Sequence, residues 1–121
     1  MKALIFLAHG SRREKSNREV FDLVDKIRPL LAPEFDVVDA AFLELVPPFL
    51  PELIEKMLDR DAQSITIYPF FLNSGRHVDK DIPVIVDDFR VRYPGKELVV
   101  MPHFGGSDGV LEMIVDQLKD N

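Results

Sequence analysis

The sequence contains no cysteine among its 121 residues, and this absence excludes several kinds of chemistry at once. Disulfide bonds, thiolate metal ligands and thiol nucleophiles are all ruled out, so a bound metal ion must be held by imidazole, carboxylate or water. The chain also lacks an apolar run long enough to span a membrane, and its start lacks the cleavage site of a secretory signal. We therefore expect a cytoplasmic protein that does not contact membranes.

An excess of positive charge is also missing, because 15 basic residues stand against 21 acidic ones and give a formal net charge of -6. Proteins that bind nucleic acids normally present a basic face, so nucleic acid is not an expected partner. With 46% hydrophobic and 30% charged residues, the composition is that of a globular protein. The length suits a single core, and we expect residues 1–121 to form one domain.

Apolar runs and helical periodicities alternate along the chain. Runs rich in apolar and β-branched residues predict strands at 3–8, 35–42, 64–69 and 97–101. Apolar residues at helical spacing predict amphipathic helices over 14–31, 50–58, 82–93 and 110–118, the last with Val110, Leu111, Ile114 and Leu118 buried. Strands alternating with helices predict an α/β fold in which helices cover both faces of a parallel sheet. We expect the strand order 2-1-3-4.

Three side chains suited to metal binding each follow one of these strands. His9 comes directly after the first strand, Glu44 follows the second, and His77 follows the third. Open α/β sheets bind their ligands at the carboxyl ends of the strands, so all three can share one edge of the sheet. Neutral imidazole and carboxylate together can hold divalent cobalt, nickel, iron or zinc. His103 follows the last strand, and we expect it to be a loop residue.

Basic and apolar residues lie beside these candidate ligands. Basic residues cluster at Arg12, in the loop after the first strand, and at Arg76 and Lys80 around His77, which favours a polyanionic ligand. Arg12 and Arg76 are the better candidates because they lie beside the histidines, whereas Arg13, Lys15 and Arg18 fit a solvated helix face. Phe70, Phe71 and Leu72 could line an apolar cleft for a flat ligand, or belong to the core or to a dimer contact.

The segments that carry these residues resemble those of a known family. They are His9-Gly10-Ser11-Arg12 after the first strand, Phe42-Leu43-Glu44-Leu45 before a helix that starts with proline, and Pro69-Phe70-Phe71-Leu72-Asn73-Ser74-Gly75-Arg76-His77-Val78 followed by Asp81-Ile82-Pro83. Over almost its whole length the sequence resembles the class II chelatases of tetrapyrrole synthesis, in particular the short sirohydrochlorin cobaltochelatases.

The resemblance implies a three-layer chelatase-like fold and the insertion of a divalent metal, cobalt before nickel or iron, into sirohydrochlorin or a similar tetrapyrrole. It implies that His9 and His77 bind the metal and that Glu44 assists as ligand or base. The metal ion would be a substrate, with no permanently bound cofactor. Larger members carry two such units in one chain, so a homodimer is implied. Substrate contacts are expected from Ser11, Arg12, Phe71, Leu72, Asn73, Ser74, Gly75 and Arg76.

Two other functions use similar residues. A non-enzymatic metal carrier or tetrapyrrole-binding module could hold its ligands with the same histidines, and turnover would distinguish the two. Histidine phosphatases also place a catalytic histidine after the first strand, but their motif is Arg-His-Gly, and here Ala8 precedes His9. The sequence therefore favours a chelatase over a phosphatase.

Overall fold

The computed structural model describes residues 1–119, apart from the side chain of His77. Four parallel strands, β1 (Lys2–Ala8), β2 (Val37–Phe42), β3 (Ser64–Pro69) and β4 (Glu97–Val100), form a sheet in the order β2-β1-β3-β4. The predicted order is confirmed. β1 lies between β2 and β3 and has helices on both faces of the sheet. Ala3 to Ala8 are accordingly 6% exposed or less.

Four helices connect and follow the strands: α1 (Glu14–Ile27), α2 (Leu50–Asp59), α3 (Ile82–Arg92) and α4 (Asp108–Lys119). The first is shorter than predicted, because a 3₁₀ turn, Arg28–Leu31, replaces its last turn. Pro29 explains the change, since proline has no N–H for the helical ladder and its ring crowds the preceding turn. β2 begins two residues later and β4 ends one residue earlier than expected. None of the helices described is long and apolar enough to cross a membrane.

One face of the sheet is closed by α2 and α3. Ile5, Leu7 and Ile67 project from the strands and pack with the apolar sides of both helices. Ile54 on α2 and Val86 on α3 are completely buried there, as the helical spacing predicts. This layer contains the larger of the two hydrophobic clusters in the described part of the chain.

The other face is only partly covered. α1 packs against Leu4 and Phe6 through Val24, which is 1% exposed. The prediction that α4 buries Val110, Leu111, Ile114 and Leu118 is wrong: no α4 residue that the structure describes is buried, and Leu111 and Leu118 are 69% and 68% exposed. The helix buries neither of its sides, because Met113, the α4 residue that lines the groove on this face, is itself 44% exposed.

Candidate metal centre

The loops that follow β1, β2 and β3 leave the sheet at one edge. Ala8 is paired with Phe42 and Leu7 with Pro69, so these three strands end at nearly the same level. Beyond the strand end, the Glu44 N–H donates a hydrogen bond to the carbonyl of His9 at 3.1 Å. This main-chain bond continues the ladder past the sheet and places His9 and Glu44 next to each other.

The side chains of His9 and Glu44 form a pair. His9 Nε2 lies 3.2 Å from Glu44 Oε1, and the two side chains are 45% and 51% exposed. The other ring nitrogen, Nδ1, lies 3.1 Å from the carbonyl oxygen of Gly10. A carbonyl only accepts, so a hydrogen bond here requires a proton on Nδ1, in which case Nε2 faces the carboxylate as a lone pair or as a second N–H.

This distance suits either of two cations between the imidazole and the carboxylate, namely a proton or a metal ion. With a proton on Nε2, the pair is an ion pair that donates from imidazolium to carboxylate. With Nε2 unprotonated, both atoms are acceptors and only a cation can hold them together. Divalent metals such as zinc bind imidazole nitrogen at about 2.0–2.1 Å and carboxylate oxygen at about 2.0–2.2 Å, so two cis ligands lie about 3 Å apart. The pair therefore has the spacing of two ligands on one metal ion.

Gly10 makes the close approach of the two loops possible. Its φ is 98°, a conformation that residues with a side chain rarely adopt. A Cβ at this position would lie 1.9 Å from the carbonyl oxygen of Glu44. Both observations require glycine, since any side chain would push the Glu44 segment away from His9.

The Asn17 side chain holds the same loop in place through hydrogen bonds to its backbone. Asn17 was not predicted as a site residue. Its Oδ1 accepts the Ser11 N–H at 2.9 Å, and its Nδ2 donates to the Ser11 carbonyl at 2.7 Å. Asn17 is the one buried residue with a polar or charged side chain among the described residues, 8% exposed. A signal exists in the sequence, because Asn17 lies at helical spacing with Val20 and Val24 and so places an amide on an apolar helix face. The Ser11 hydroxyl also takes part in the loop, since its Oγ accepts a hydrogen bond from the Arg13 N–H at 3.0 Å.

A cavity of about 460 Å³ lies beside the pair. Its walls combine apolar and charged groups: Leu43, Glu44, Lys80, Asp81, Val84 and Ile85. The sequence places Lys80 among the basic residues near the strand ends, but neither Lys80 nor Asp81 was predicted to line a cavity with Glu44. A π-helical turn, His77–Asp81, leads directly into α3 and carries both residues to the cavity.

The predicted third ligand is His77. Its backbone begins the π-helical turn at the same edge of the sheet, and its side chain lies outside the described part of the structure. Among the described side chains, no group of three or more histidine, aspartate or glutamate residues could hold a metal ion. A three-ligand centre of His9, Glu44 and His77 thus stays a prediction.

The loop after β3 borders the site on the other side. Phe71 is half-buried and its ring meets the His9 ring edge-on, with the centroids 6.4 Å apart. The other predicted substrate contacts on this loop are exposed: Leu72, Asn73, Ser74, Gly75 and Arg76. Arg12 is exposed on the loop after β1. Contacts of these residues with a tetrapyrrole stay predictions.

The loop after β4 supports this segment. Gly105 donates its N–H to the Phe71 carbonyl at 2.9 Å, and a Cβ on Gly105 would lie 1.6 Å from the carbonyl oxygen of Leu72. His103 is half-buried in the same loop and its ring packs close to Gly106. This position agrees with its expected place in a loop.

Comparison with known proteins identifies the family. The model of the CbiX family matches residues 3–121. A sirohydrochlorin cobaltochelatase from Methanococcus maripaludis is 28% identical, with 97% of each chain covered. A chloroplastic sirohydrochlorin ferrochelatase from Arabidopsis thaliana is 26% identical over 96% of this chain, which spans 51% of that protein.

Solved structures share the fold. A CbiX protein from Marinobacter aquaeolei superposes with a TM-score of 0.76 at 22% identity, with 99% of this chain and 96% of the other covered. The sirohydrochlorin chelatase SirB from Bacillus subtilis, solved in complex with cobalt, has a TM-score of 0.83 at 24% identity and matches 98% of this chain over 50% of its own. The four-stranded order and the layered helices are those of a chelatase fold, and the chain belongs to the CbiX family.

Proposed function

We propose that the protein inserts a divalent metal ion into sirohydrochlorin or a similar tetrapyrrole, and that the preferred ion is cobalt. The observation that carries this proposal is the His9–Glu44 pair, 3.2 Å apart and half-exposed beside an open cavity. The names of the relatives support both the reaction and the substrate, since they include sirohydrochlorin cobaltochelatases and ferrochelatases. Iron or nickel is the alternative metal.

The pair can serve both parts of the reaction. Metal insertion requires an ion held loosely enough to leave and a base for the two protons that the pyrrole nitrogens lose. His9 Nε2 and a Glu44 oxygen would bind the ion first, with His77 as the third ligand. When the ion moves to the ring nitrogens, the same imidazole and carboxylate can each accept a proton.

The tetrapyrrole would lie over this pair, with its apolar face against Leu43 and Phe71. Sirohydrochlorin carries many carboxylates, whereas the protein has a net charge of -6, so binding must depend on local cations. Arg12, Arg76 and Lys80 are exposed around the site and can donate charge-assisted hydrogen bonds to these carboxylates.

Substitution of the pair tests the proposal. We expect His9→Ala and Glu44→Gln each to lower the rate of cobalt insertion by about 100-fold or more, because ligand and base are lost together. The rate is measured by the absorbance change as cobalt enters sirohydrochlorin. His103→Gln is the matched control, a histidine at the same edge that should leave the rate within about twofold of the wild type. Full activity in the His9→Ala variant would contradict the proposal.

A carrier is the second candidate function, since an exposed pair of ligands also suits reversible metal binding. A carrier would bind cobalt and tetrapyrrole once per site, whereas a chelatase would release many equivalents of metallated product. A histidine phosphatase is disfavoured by the structure, because Glu44 stands 3.2 Å from His9 Nε2, where its negative charge would repel a phosphate.

We also propose that the active form is a homodimer. The chain matches about half of the plant ferrochelatase and half of SirB, but nearly the full length of the archaeal cobaltochelatase. Two copies would therefore supply what the longer relatives hold in one chain. The cytoplasmic location stays a prediction.

A further inference from the structure

Leu45, the residue after Glu44, has a strained backbone. Its φ is 72°, and only one other non-glycine residue in the described part of the chain, Asp61, has a positive φ. The Val46 N–H donates a hydrogen bond to the Glu44 carbonyl at 2.9 Å, across Leu45. A bond from residue i to residue i+2 over a positive φ is a γ-turn of the rare and strained kind. A bulky side chain disfavours this conformation, which glycine would adopt without steric cost.

Asp61, the other residue with a positive φ, is accounted for by the fold. It ends α2, where its N–H donates to the Leu58 carbonyl at 2.9 Å and the Ala62 N–H donates to the Met57 carbonyl at 3.0 Å. These two bonds form a Schellman cap, in which a positive φ is expected. The Asp61 carboxylate also accepts a hydrogen bond from Lys96 at 3.1 Å. Both the backbone and the side chain of Asp61 therefore make contacts within the chain.

The side chain of Leu45 has no comparable use within the fold. It is 53% exposed and belongs to neither of the two hydrophobic clusters in the described part of the chain. The turn does not require leucine, because main-chain bonds form it: the Glu44 N–H donates to the His9 carbonyl at 3.1 Å, and the Val46 N–H closes the turn. A side chain that strains the backbone and buries little surface in the fold points to a contact outside the chain.

Leu45 lies where a ligand of the metal pair would meet it. Neighbouring Cα atoms are about 3.8 Å apart, so Leu45 is within reach of any large group bound at Glu44. Leu43, on the other side of Glu44, lines the cavity beside the pair. The radius of a tetrapyrrole ring exceeds the spacing of adjacent residues, so a ring centred over His9 and Glu44 reaches the residues on either side of Glu44.

We propose that Leu45 is an apolar contact of the tetrapyrrole ring, and that this contact is the reason for a leucine in the strained turn. The inference rests on the proposed function and adds a substrate-binding residue to it. Apolar ring surface that leaves water against the leucine stabilises the complex. The metal ion gains nothing from Leu45, because the side chain has no ligand atom. The leucine should therefore raise the affinity for the ring and leave the affinity for cobalt unchanged.

Titration of the full chain with metal-free sirohydrochlorin, followed by tetrapyrrole fluorescence, tests the contact without turnover. Leu45→Asn keeps a side chain of similar size that tolerates a positive φ, and replaces the apolar surface by an amide. We expect it to raise the dissociation constant for sirohydrochlorin about fivefold or more, since about half of a leucine side chain is open to burial. Leu45→Met keeps an apolar side chain and should stay within about twofold of the wild type.

Urea denaturation of Leu45→Gly distinguishes a substrate contact from a residue that the fold needs. We expect a midpoint equal to or higher than that of the wild type, because removal of the strain offsets the greater freedom of glycine in the unfolded chain. The affinity for sirohydrochlorin should fall as in Leu45→Asn, and the affinity for cobalt, measured by calorimetric titration, should not change.

Leu30→Asn is the matched control for Leu45→Asn. Leu30 is a leucine 80% exposed in the 3₁₀ turn before β2, at the end of the sheet opposite to the metal pair. This variant should leave both affinities within about twofold of the wild type. A loss of sirohydrochlorin affinity in Leu30→Asn equal to that in Leu45→Asn would show that the effect does not depend on the position of Leu45, and would overturn the inference.

Three further results would overturn the inference. Unchanged sirohydrochlorin affinity in Leu45→Asn would show that the ring does not meet Leu45. A lower urea midpoint in Leu45→Gly would assign the leucine to the fold. A loss of cobalt affinity equal to the loss of sirohydrochlorin affinity would mean that the turn acts by positioning Glu44. If Leu45→Asn does not fold, the Leu45→Gly and Leu45→Met variants decide.

The outcomes separate this inference from the proposed function. A wild type that binds sirohydrochlorin without inserting cobalt refutes the chelatase activity, and the Leu45 variants still decide the contact. A wild type that inserts cobalt with the same KM for sirohydrochlorin as Leu45→Asn refutes the contact alone. A wild type that does not bind sirohydrochlorin refutes both.

Discussion

The loops after β1 and β3 differ in how firmly the protein holds them. The loop over residues 9–13 is short and lies against its neighbours: Gly10 touches the Glu44 backbone, and the buried Asn17 side chain bonds both main-chain polar groups of Ser11. The loop after β3 is longer, and its side chains from Leu72 to Arg76 are exposed. Its backbone is held mainly at Phe71 and Leu72, where Gly105 donates a hydrogen bond to one and packs closely against the other.

This difference matches two requirements of metal insertion. A metal ligand must be positioned within about half an ångström, which calls for a loop whose backbone is bonded and packed. A large flat substrate must enter and leave, which calls for exposed side chains around an open cavity. His9 has the first environment, and the predicted substrate contacts from Leu72 to Arg76 have the second. The comparison predicts that equal substitutions in the two loops have unequal effects.

The largest effect is expected from Gly10→Ala. The new Cβ would overlap the Glu44 carbonyl in a backbone conformation with φ 98°, so the loop must move. We expect a loss of more than about 1 kcal/mol in the free energy of unfolding, since the native conformation does not accept alanine. Displacement of His9 from Glu44 should also weaken cobalt binding by about tenfold or more. Urea denaturation and calorimetric titration with cobalt measure the two effects, and an unchanged cobalt affinity would contradict the rigid-loop interpretation.

Asn17→Ala should have the next largest effect. It removes two hydrogen bonds to the half-buried N–H and carbonyl of Ser11, each worth about 0.5–1.5 kcal/mol of stability. The loop that carries His9 should loosen, so cobalt affinity should fall together with stability. Asn73→Ala is the matched control in the other loop, where an exposed side chain should change stability by less than about 0.5 kcal/mol. Equal losses in the two variants would refute the contrast between the loops.

Much of the fold was predictable because it depends on regular patterns. The continuous apolar run from Ala3 to Ala8 identified a central strand, and with the other strands it led to the confirmed sheet order. The same reasoning placed His9 and Glu44 at one edge, where the structure brings them to 3.2 Å. These outcomes follow from strand register, which fixes where each loop begins.

Other features were not predictable because they depend on contacts between distant residues. Helical periodicity shows which side of α4 is apolar, but not whether the same chain covers that side, and so Leu111 and Leu118 were wrongly placed in the core. Periodicity places Asn17 on the apolar face of α1, but it does not show that the amide bonds to Ser11, six positions earlier. Lys80 was expected near the strand ends, but the π-helical turn through which it reaches the cavity is not marked in the sequence.

A charge reversal in the loop after β3 should affect the substrate more than the metal. We expect Arg76→Glu to raise the KM for sirohydrochlorin about tenfold, equivalent to about 1.4 kcal/mol, because a carboxylate replaces a cation that is proposed to face the substrate's carboxylates. Cobalt affinity and stability should change little, since the side chain is exposed.

Arg18→Glu is the matched control for this reversal. Arg18 is paired with Glu14 at 3.1 Å on the solvated face of α1. Its replacement by glutamate changes the net charge by the same amount as Arg76→Glu. If both variants raise KM equally, the long-range field of the protein accounts for the effect and Arg76 makes no specific contact. If Arg76→Glu weakens cobalt binding as much as substrate binding, the arginine supports the metal centre instead.

The smallest effect, and the one of opposite sign, is expected from Gly75→Ala. A Cβ there meets no atom of the described residues within 4 Å, and the φ of Gly75 lies outside the left-handed region. Its carbonyl accepts the Asp79 N–H at 2.8 Å, a main-chain bond that alanine preserves. Alanine restricts the unfolded chain more than glycine does, so stability should rise by about 0.4–1 kcal/mol.

The same substitution thus tests both loops directly, and only its surroundings differ. In the loop after β1 alanine displaces a neighbouring carbonyl, and in the loop after β3 it occupies space that the described residues leave open. Thermal denaturation should give a lower Tm for Gly10→Ala and an equal or higher Tm for Gly75→Ala, with cobalt affinity reduced only in the first. A Gly75→Ala variant that loses stability would show that the backbone of the loop after β3 is as constrained as that of the loop after β1. The exposure of its side chains would then not indicate a loop that can move to admit the substrate.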